Sequence, residues 1–319
     1  MHIVEQLKRK AATTKARIVL PEGNDVRVQA AARSLVGVLR PILLCNPSDI
    51  AEPLPDAVEV VDPANADSAE FAQAYFELRK HKGMTLAQAQ TAVRDPLVFG
   101  ALMVRLGRAE GCVAGATHAT RDVLRAALQI IGMADGFKIA SSTFLMILPD
   151  GRPLTYGDCG MVPNPNAEQL ASIAVASANT HRQLTEQTPT VAMLSFSTKG
   201  SAAHPDVSKV VEATALAQQM APDIAIDGEL QFDAAFVASV GERKAPASSV
   251  AGQANVFIFP TLDAGNIGYK ITERLGGAQA IGPIIQGLAQ PMHDLSRGCK
   301  AEDIMVLSLI SAIQADNSG

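Results

Sequence analysis

Short runs of β-branched and aliphatic residues alternate with longer amphipathic segments along almost the whole chain, and this alternation restricts the fold more than any other feature. A strand buried on both faces reads as a brief apolar run, and its parallel neighbour can be reached only by a crossover, usually a helix. The pattern predicts an α/β fold with mostly parallel sheets covered by helices. Arg17-Ile18-Val19-Leu20 is the first such strand and stops at Pro21-Glu22-Gly23. A helix over 25–36 and a strand over 41–44 follow. Thr85 with Gln88 three residues on is a capping box that starts another helix. A strand over 111–115 leads through Ala116–Thr120 into a helix over 121–131. After Met133-Ala134-Asp135-Gly136 the pattern begins again, with strands over 140–148, 190–196, 224–227 and 256–259. Asn166 and Gln169 form a second capping box, and Pro205 suits a first helical turn with Val207, Val210 and Val211 on one face. A strand over 281–285, a polar loop and a last helix over 302–313 complete the chain. Two domains are expected, but periodicity does not place the boundary between them.

Composition removes several function classes. With 48% hydrophobic and 18% charged residues among 319, the chain can bury a large core. Its apolar runs are too short to span a bilayer. Residues 1–10 are mixed in charge and carry no apolar stretch, so no signal peptide is expected, and a cytoplasmic protein is. Four cysteines stand far apart with no C-x-x-C pair, which argues for reduced thiols and against a disulfide framework. The six histidines show no ligand spacing, so no protein-bound metal is expected. A net charge of −5 and the absence of Trp argue against a broad nucleic-acid surface. A negative chain that handles anionic ligands has to gather its cations locally.

The richest cation-bearing segment is Pro291-Met292-His293-Asp294-Leu295-Ser296-Arg297-Gly298-Cys299-Lys300-Ala301-Glu302-Asp303. A polar, glycine-containing loop meets a helix start there, where free N–H groups and the helix dipole favour anions. Ser296 offers a hydroxyl and Arg297 a planar fork for phosphate oxygens. Glu302 and Asp303 also read simply as acidic residues complementing the dipole. Thr261–Leu275 follows a strand and contains Gly265 and Gly268, which suggests either a phosphate-binding turn or a plain strand-to-helix connection. Arg79-Lys80-His81-Lys82-Gly83 is a phosphate grip or a solvated helix end. Arg125 lies in an apolar context, which predicts a partly buried guanidinium with an anionic partner. Cys299 is flanked by Arg297 and Lys300, where a thiolate would be stabilised, but no histidine is paired with it.

Taken together, these segments resemble the phosphotransacetylases (phosphate acetyltransferases) over nearly the whole chain. The resemblance is carried by Arg17–Gly23, Lys82-Gly83-Met84-Thr85, Asp95-Pro96, Gly115-Ala116-Thr117-His118 and Tyr156-Gly157-Asp158-Cys159. It continues through Asp227–Ala235, Gly268-Tyr269-Lys270, Gly282–Leu288 and Asp294-Leu295-Ser296-Arg297-Gly298. The length resembles the short form of the phosphate acetyl/butyryltransferase family. The resemblance implies two α/β domains, one made of 1–137 and 286–319 and the other of 138–285, with the active site in the cleft between them, and a homodimer. Asp303 matches the base that deprotonates the coenzyme A thiol, Ser296 the serine that stabilises the transition state, and Arg297 the arginine that holds acetyl phosphate. Arg274 matches a further anion-binding arginine, and Arg79 and Arg125 match arginines associated with coenzyme A. Coenzyme A or acetyl-CoA is then a substrate, with acetyl phosphate the other; no permanently bound cofactor, membrane or nucleic acid is implied. The alternatives are a phosphate butyryltransferase, whose pocket volume the sequence does not reveal, and a non-catalytic acetyl-CoA-sensing module.

Overall fold

In a computed structural model describing residues 3–316, the chain divides into two compact units, Met1–Asp135 with Leu288–Gly319, and Gly136–Gly287. The edges lie at 135/136 and 287/288, against 137/138 and 285/286 from the sequence. Outgoing and returning chains pair there: Met133 bridges Leu288 antiparallel, and the Ala289 N–H donates to the Gly132 carbonyl at 3.0 Å. That pairing is long-range, so periodicity does not register it.

The first unit contains β1 (Arg17–Leu20), β2 (Arg40–Leu44), β3 (Glu59–Val61) and β4 (Gly111–Ala114), the second β5 (Ser141–Ile147), β6 (Pro153–Gly157), β7 (Thr190–Leu194), β8 (Ala225–Leu230), β9 (Val256–Ile258) and β10 (Gln279–Gln286), and the returning segment adds β11 (Met292–Asp294) to the first. The first sheet has the order β11-β4-β1-β2-β3, and every pairing in it is parallel. The second has the order β10-β5-β6-β9-β7-β8, parallel from β6 to β8 and antiparallel where β5 meets β10 and β6. The α/β class with mostly parallel sheets is therefore the one the alternation predicts. No helix among the described residues is long and apolar enough to cross a membrane.

Both capping boxes form: Thr85 with Gln88 opens Leu86–Ala92, and Asn166 with Gln169 opens Ala167–Thr185. Asp95 caps Pro96–Arg105 by accepting the N–H groups of Leu97 and Val98. The last helix, Ala301–Asp316, is buried from Ile304 to Ile313. It is apolar all round because it lies between β4 and the helices Ile3–Thr14 and Val26–Leu35. Its first turn reaches solvent with Glu302 and Asp303, which places Asp303 at an exposed helix start anchored on a rigid core. In Pro205–Met220, Val207 and Val210 are buried as expected, but Val211 is 46% exposed. Adjacent residues point about 100° apart on a helix, so Val211 falls outside the stripe that Val207 and Val210 share.

Ala167–Thr185 also carries a titratable group into the core of the second unit. His181 is fully buried; Nδ1 lies 2.9 Å from Thr155 Oγ1, and Nε2 has no hydrogen-bond partner among the described residues. Burial lowers its pKa from 6.5 to about 4. The folded chain therefore holds this imidazole neutral while the unfolded chain protonates it below 6.5, so stability is full above 6.5 and is lost as pH falls towards 4. The expected slope is up to about 1.4 kcal/mol per pH unit across that window. Urea midpoints of the parent and His181→Asn, measured from pH 7 to 4, should show the flatter dependence in the variant. Identical slopes would contradict this account of His181.

Candidate active site

β4 and β11 run side by side, and the segments leaving their carboxyl ends hold most of the candidate residues. At the end of β11 the Leu295 N–H donates to the Ala114 carbonyl at 2.7 Å. Gly115 follows β4 at φ +105°, and a Cβ there would stand 2.5 Å from Asp294 Oδ1 and 2.6 Å from the Leu295 backbone. Only glycine lets the two strand ends approach this closely. Asp294 itself is buried, and burial pushes its carboxyl up to about 6.

Beyond Leu295 the side chains turn outward. Ser296, Arg297 and Asp303 are all exposed. Ser296 shapes the turn: its carbonyl accepts the Cys299 N–H at 2.9 Å, and its Oγ accepts the Gly298 N–H at 3.2 Å. Asp303 Oδ2 accepts the Lys300 N–H at 2.8 Å, and Oδ1 has no hydrogen bond among the described residues. Asp303 thus caps the helix, as a first-turn acidic residue does, and still presents a free carboxylate oxygen to solvent. Arg297 has no carboxylate within ion-pair distance among the described residues, so its fork is available to a ligand. Cys299 is buried, and burial raises its pKa although Arg27 nearby opposes this. The stabilised thiolate expected from its sequence neighbours is not what the fold builds.

Of the remaining expected residues, Arg79 ends the helix Ala69–Arg79 and is partly buried. Arg125 lies on Thr120–Ala126, but its side chain is 56% exposed and bonds Asp122 at 2.5 Å. The partly buried guanidinium expected there is corrected: Val123 and Ala126 fill the inward face, and Arg125 points outward. Arg274 belongs to the second unit, exposed at the end of Leu262–Arg274, with Glu273 at 3.3 Å. The phosphate-binding turn considered for Thr261–Leu275 is an ordinary helix start capped by Thr261. A Cβ on Gly265 would stand 2.2 Å from the Asp158 carbonyl, so this glycine serves packing rather than ligand approach.

Sequence reasoning missed the groups beneath the loop. Glu22, 3% exposed, accepts the backbone N–H groups of Gly115, Ala116, Thr117 and His118 at 2.7 to 3.1 Å, together with Thr117 Oγ1 and the His118 ring. Burial raises its pKa, but the His118 imidazole and the backbone donors outweigh this and hold the carboxyl at about 2. Bonding to Glu22 in turn raises the His118 pKa. Arg27 uses its whole guanidinium: Asp25 at 2.7 Å, the Ala116 carbonyl at 2.9 Å, and the carbonyls of Arg297 and Cys299 at 2.8 and 2.9 Å. The second unit repeats the device, with buried Glu229 accepting the Gly200 N–H at 2.7 Å and Ser197 Oγ at 2.8 Å after β7. The carboxyl ends of parallel strands are the usual anion sites of α/β folds. Here carboxylates of the chain already occupy the backbone cradles after β4 and β7.

Residues 2–312 match the family model described as phosphate acetyl/butaryl transferase. The chain belongs to this family. A phosphate acetyltransferase from Thermoanaerobacterium thermosaccharolyticum is 49% identical, over 99% of this chain and all of that protein. Another from Bacillus subtilis is 46% identical, over 97% and 98% of the two chains. The crystal structure of a phosphotransacetylase from Streptococcus pyogenes superposes with a TM-score of 0.94 at 45% identity, covering 99% of this chain and 98% of that one. The chain is therefore an acyltransferase. Within this family setting, the exposed Ser296, Arg297 and Asp303 stand on a loop and helix start fixed by buried charge.

Proposed function

We infer that the chain is a phosphate acetyltransferase, moving an acetyl group reversibly between acetyl phosphate and coenzyme A. The observation that carries this is its end-to-end likeness to phosphate acetyltransferases. These relatives favour acetyl over the butyryl reading. In the proposed mechanism the coenzyme A thiolate attacks bound acetyl phosphate directly. A thiol is mostly protonated near neutrality, and the Asp303 carboxylate takes its proton as the sulfur attacks. The tetrahedral oxyanion then needs donors already in place, a role for the Ser296 hydroxyl. Arg297 holds the phosphate oxygens as the C–O bond breaks and phosphate leaves. Arg274 is assigned a second anion contact, and Arg79 and Arg125 the anionic groups of coenzyme A. Both reacting groups arrive on the substrates, so no resident cofactor takes part. A cytoplasmic homodimer belongs to the same reading.

Thioester absorbance on mixing coenzyme A with acetyl phosphate tests the activity. Turnover is expected, whereas acetyl-CoA binding without turnover would favour the sensing module. For the binding assignment, Arg79→Ala and Arg125→Ala should each raise the Michaelis constant for coenzyme A several-fold more than that for acetyl phosphate. Steady-state kinetics with each substrate varied in turn decides it; equal effects on both would contradict the assignment. Arg125 has only an exposed pair with Asp122 to lose, so little stability should be lost with it.

A further inference from the structure

We propose that Glu22 is a positioning residue for the transfer, a built-in anion that shapes the turn 115–118 and through it fixes the loop carrying Ser296 and Arg297. The inference rests on the reading that this loop and Asp303 carry the chemistry.

The connection runs through one residue. The Ala116 N–H donates to Glu22 Oε2 at 2.7 Å, and the Ala116 carbonyl accepts from Arg27 at 2.9 Å. Arg27 then reaches the carbonyls of Arg297 at 2.8 Å and Cys299 at 2.9 Å. At its other end the turn follows Ala114, which receives the Leu295 N–H at 2.7 Å. The loop is therefore held on both sides by a turn whose four successive N–H groups converge on one carboxylate. Converging N–H dipoles repel one another, and an anion at their focus stabilises the arrangement. Without Glu22 the turn has no reason to keep the orientation that aims the Ala116 carbonyl at Arg27. Thr117 Oγ1 and His118 Nδ1 also bond Glu22, so six contacts from the turn reach the carboxylate, five of them on Oε1. A cavity of about 310 Å³ opens beside it, lined by Glu22, Asn24, Asn46, Thr117 and His118 among others. Through that cavity a small anion can reach the Glu22 position.

The test is Glu22→Ala, read by kinetics and by amide hydrogen exchange, with and without formate, and with chloride at equal ionic strength as control. Turnover is expected to fall about 10- to 100-fold, the scale of a small misplacement of reacting groups. Michaelis constants should stay within about threefold, since the substrate-binding cations remain. Exchange should rise at 115–118 and also at 295–300. Formate, and not chloride, should restore part of both turnover and protection by occupying the cradle. Should Glu22→Ala not fold, Glu22→Gln keeps the shape and is expected to show the same loosening, smaller and without rescue by formate. Unchanged exchange at 295–300, or a loss that formate does not touch in the alanine variant, overturns the inference alone. Loosened exchange at 295–300 with normal turnover overturns the reading of the site as well, because the loop would then not bear on the chemistry.

Discussion

Asp303→Asn should lower turnover by ~10²–10⁴ and leave both Michaelis constants nearly unchanged. Asparagine keeps the size and an oxygen that can accept the Lys300 N–H, so the cap at the start of Ala301–Asp316 survives. What it loses is the ability to take a thiol proton through the oxygen that the helix leaves free. A residue that serves only the helix dipole behaves differently. Losing one first-turn charge costs about 0.3–1 kcal/mol of stability and leaves chemistry intact. Turnover and melting temperature measured on the same variant separate the two roles. Near-normal turnover with a lowered melting temperature would reduce Asp303 to a helix-end charge.

Arg297→Ala should lower turnover by about 10²–10³, the usual cost of removing a donor placed for developing charge. Unlike Asp303→Asn, it should also raise the Michaelis constant for acetyl phosphate more than that for coenzyme A, because its guanidinium is free of protein carboxylates. Arg27 bonds the Arg297 carbonyl and not its side chain, so truncation leaves the loop in place. Arg297→Lys restores a point charge without the bidentate fork and should recover only part of the loss. Full recovery by lysine, or an alanine variant with an unchanged Michaelis constant for acetyl phosphate, would mean that the fork does not grip phosphate.

What could be read from the sequence was local. Capping boxes at Thr85 and Asn166 depend on residues three apart, and both formed. Strands such as β1 announced themselves as apolar runs bounded by Pro and Gly. β11 did not, because Met292-His293-Asp294 looks like polar loop; His293 and Asp294 are buried only because they lie beside β4. β3 is three residues long, and its last two are only partly buried, so it gives no apolar signal. Arg125 was misjudged for a related reason: an apolar neighbourhood in sequence wraps around a helix, and only part of it faces inward. The exposed candidates Ser296, Arg297 and Asp303 were legible as a block, since they sit within eight positions of one another in the sequence. Their support was not. Apart from the neighbouring Asp25, the side chains of Glu22 and Arg27 reach partners 89 to 272 residues away, and no spacing rule connects such positions.

In the proposed mechanism acetyl passes directly from phosphate to the coenzyme A thiol, with no acetyl-enzyme between. Isotope exchange without coenzyme A tests it most directly. Enzyme is incubated with acetyl phosphate and labelled inorganic phosphate, and label entering acetyl phosphate is followed. Direct transfer predicts none until coenzyme A is added, and then exchange through acetyl-CoA. Exchange at a rate near turnover with coenzyme A absent would contradict the account, and would require a covalent acetyl-enzyme.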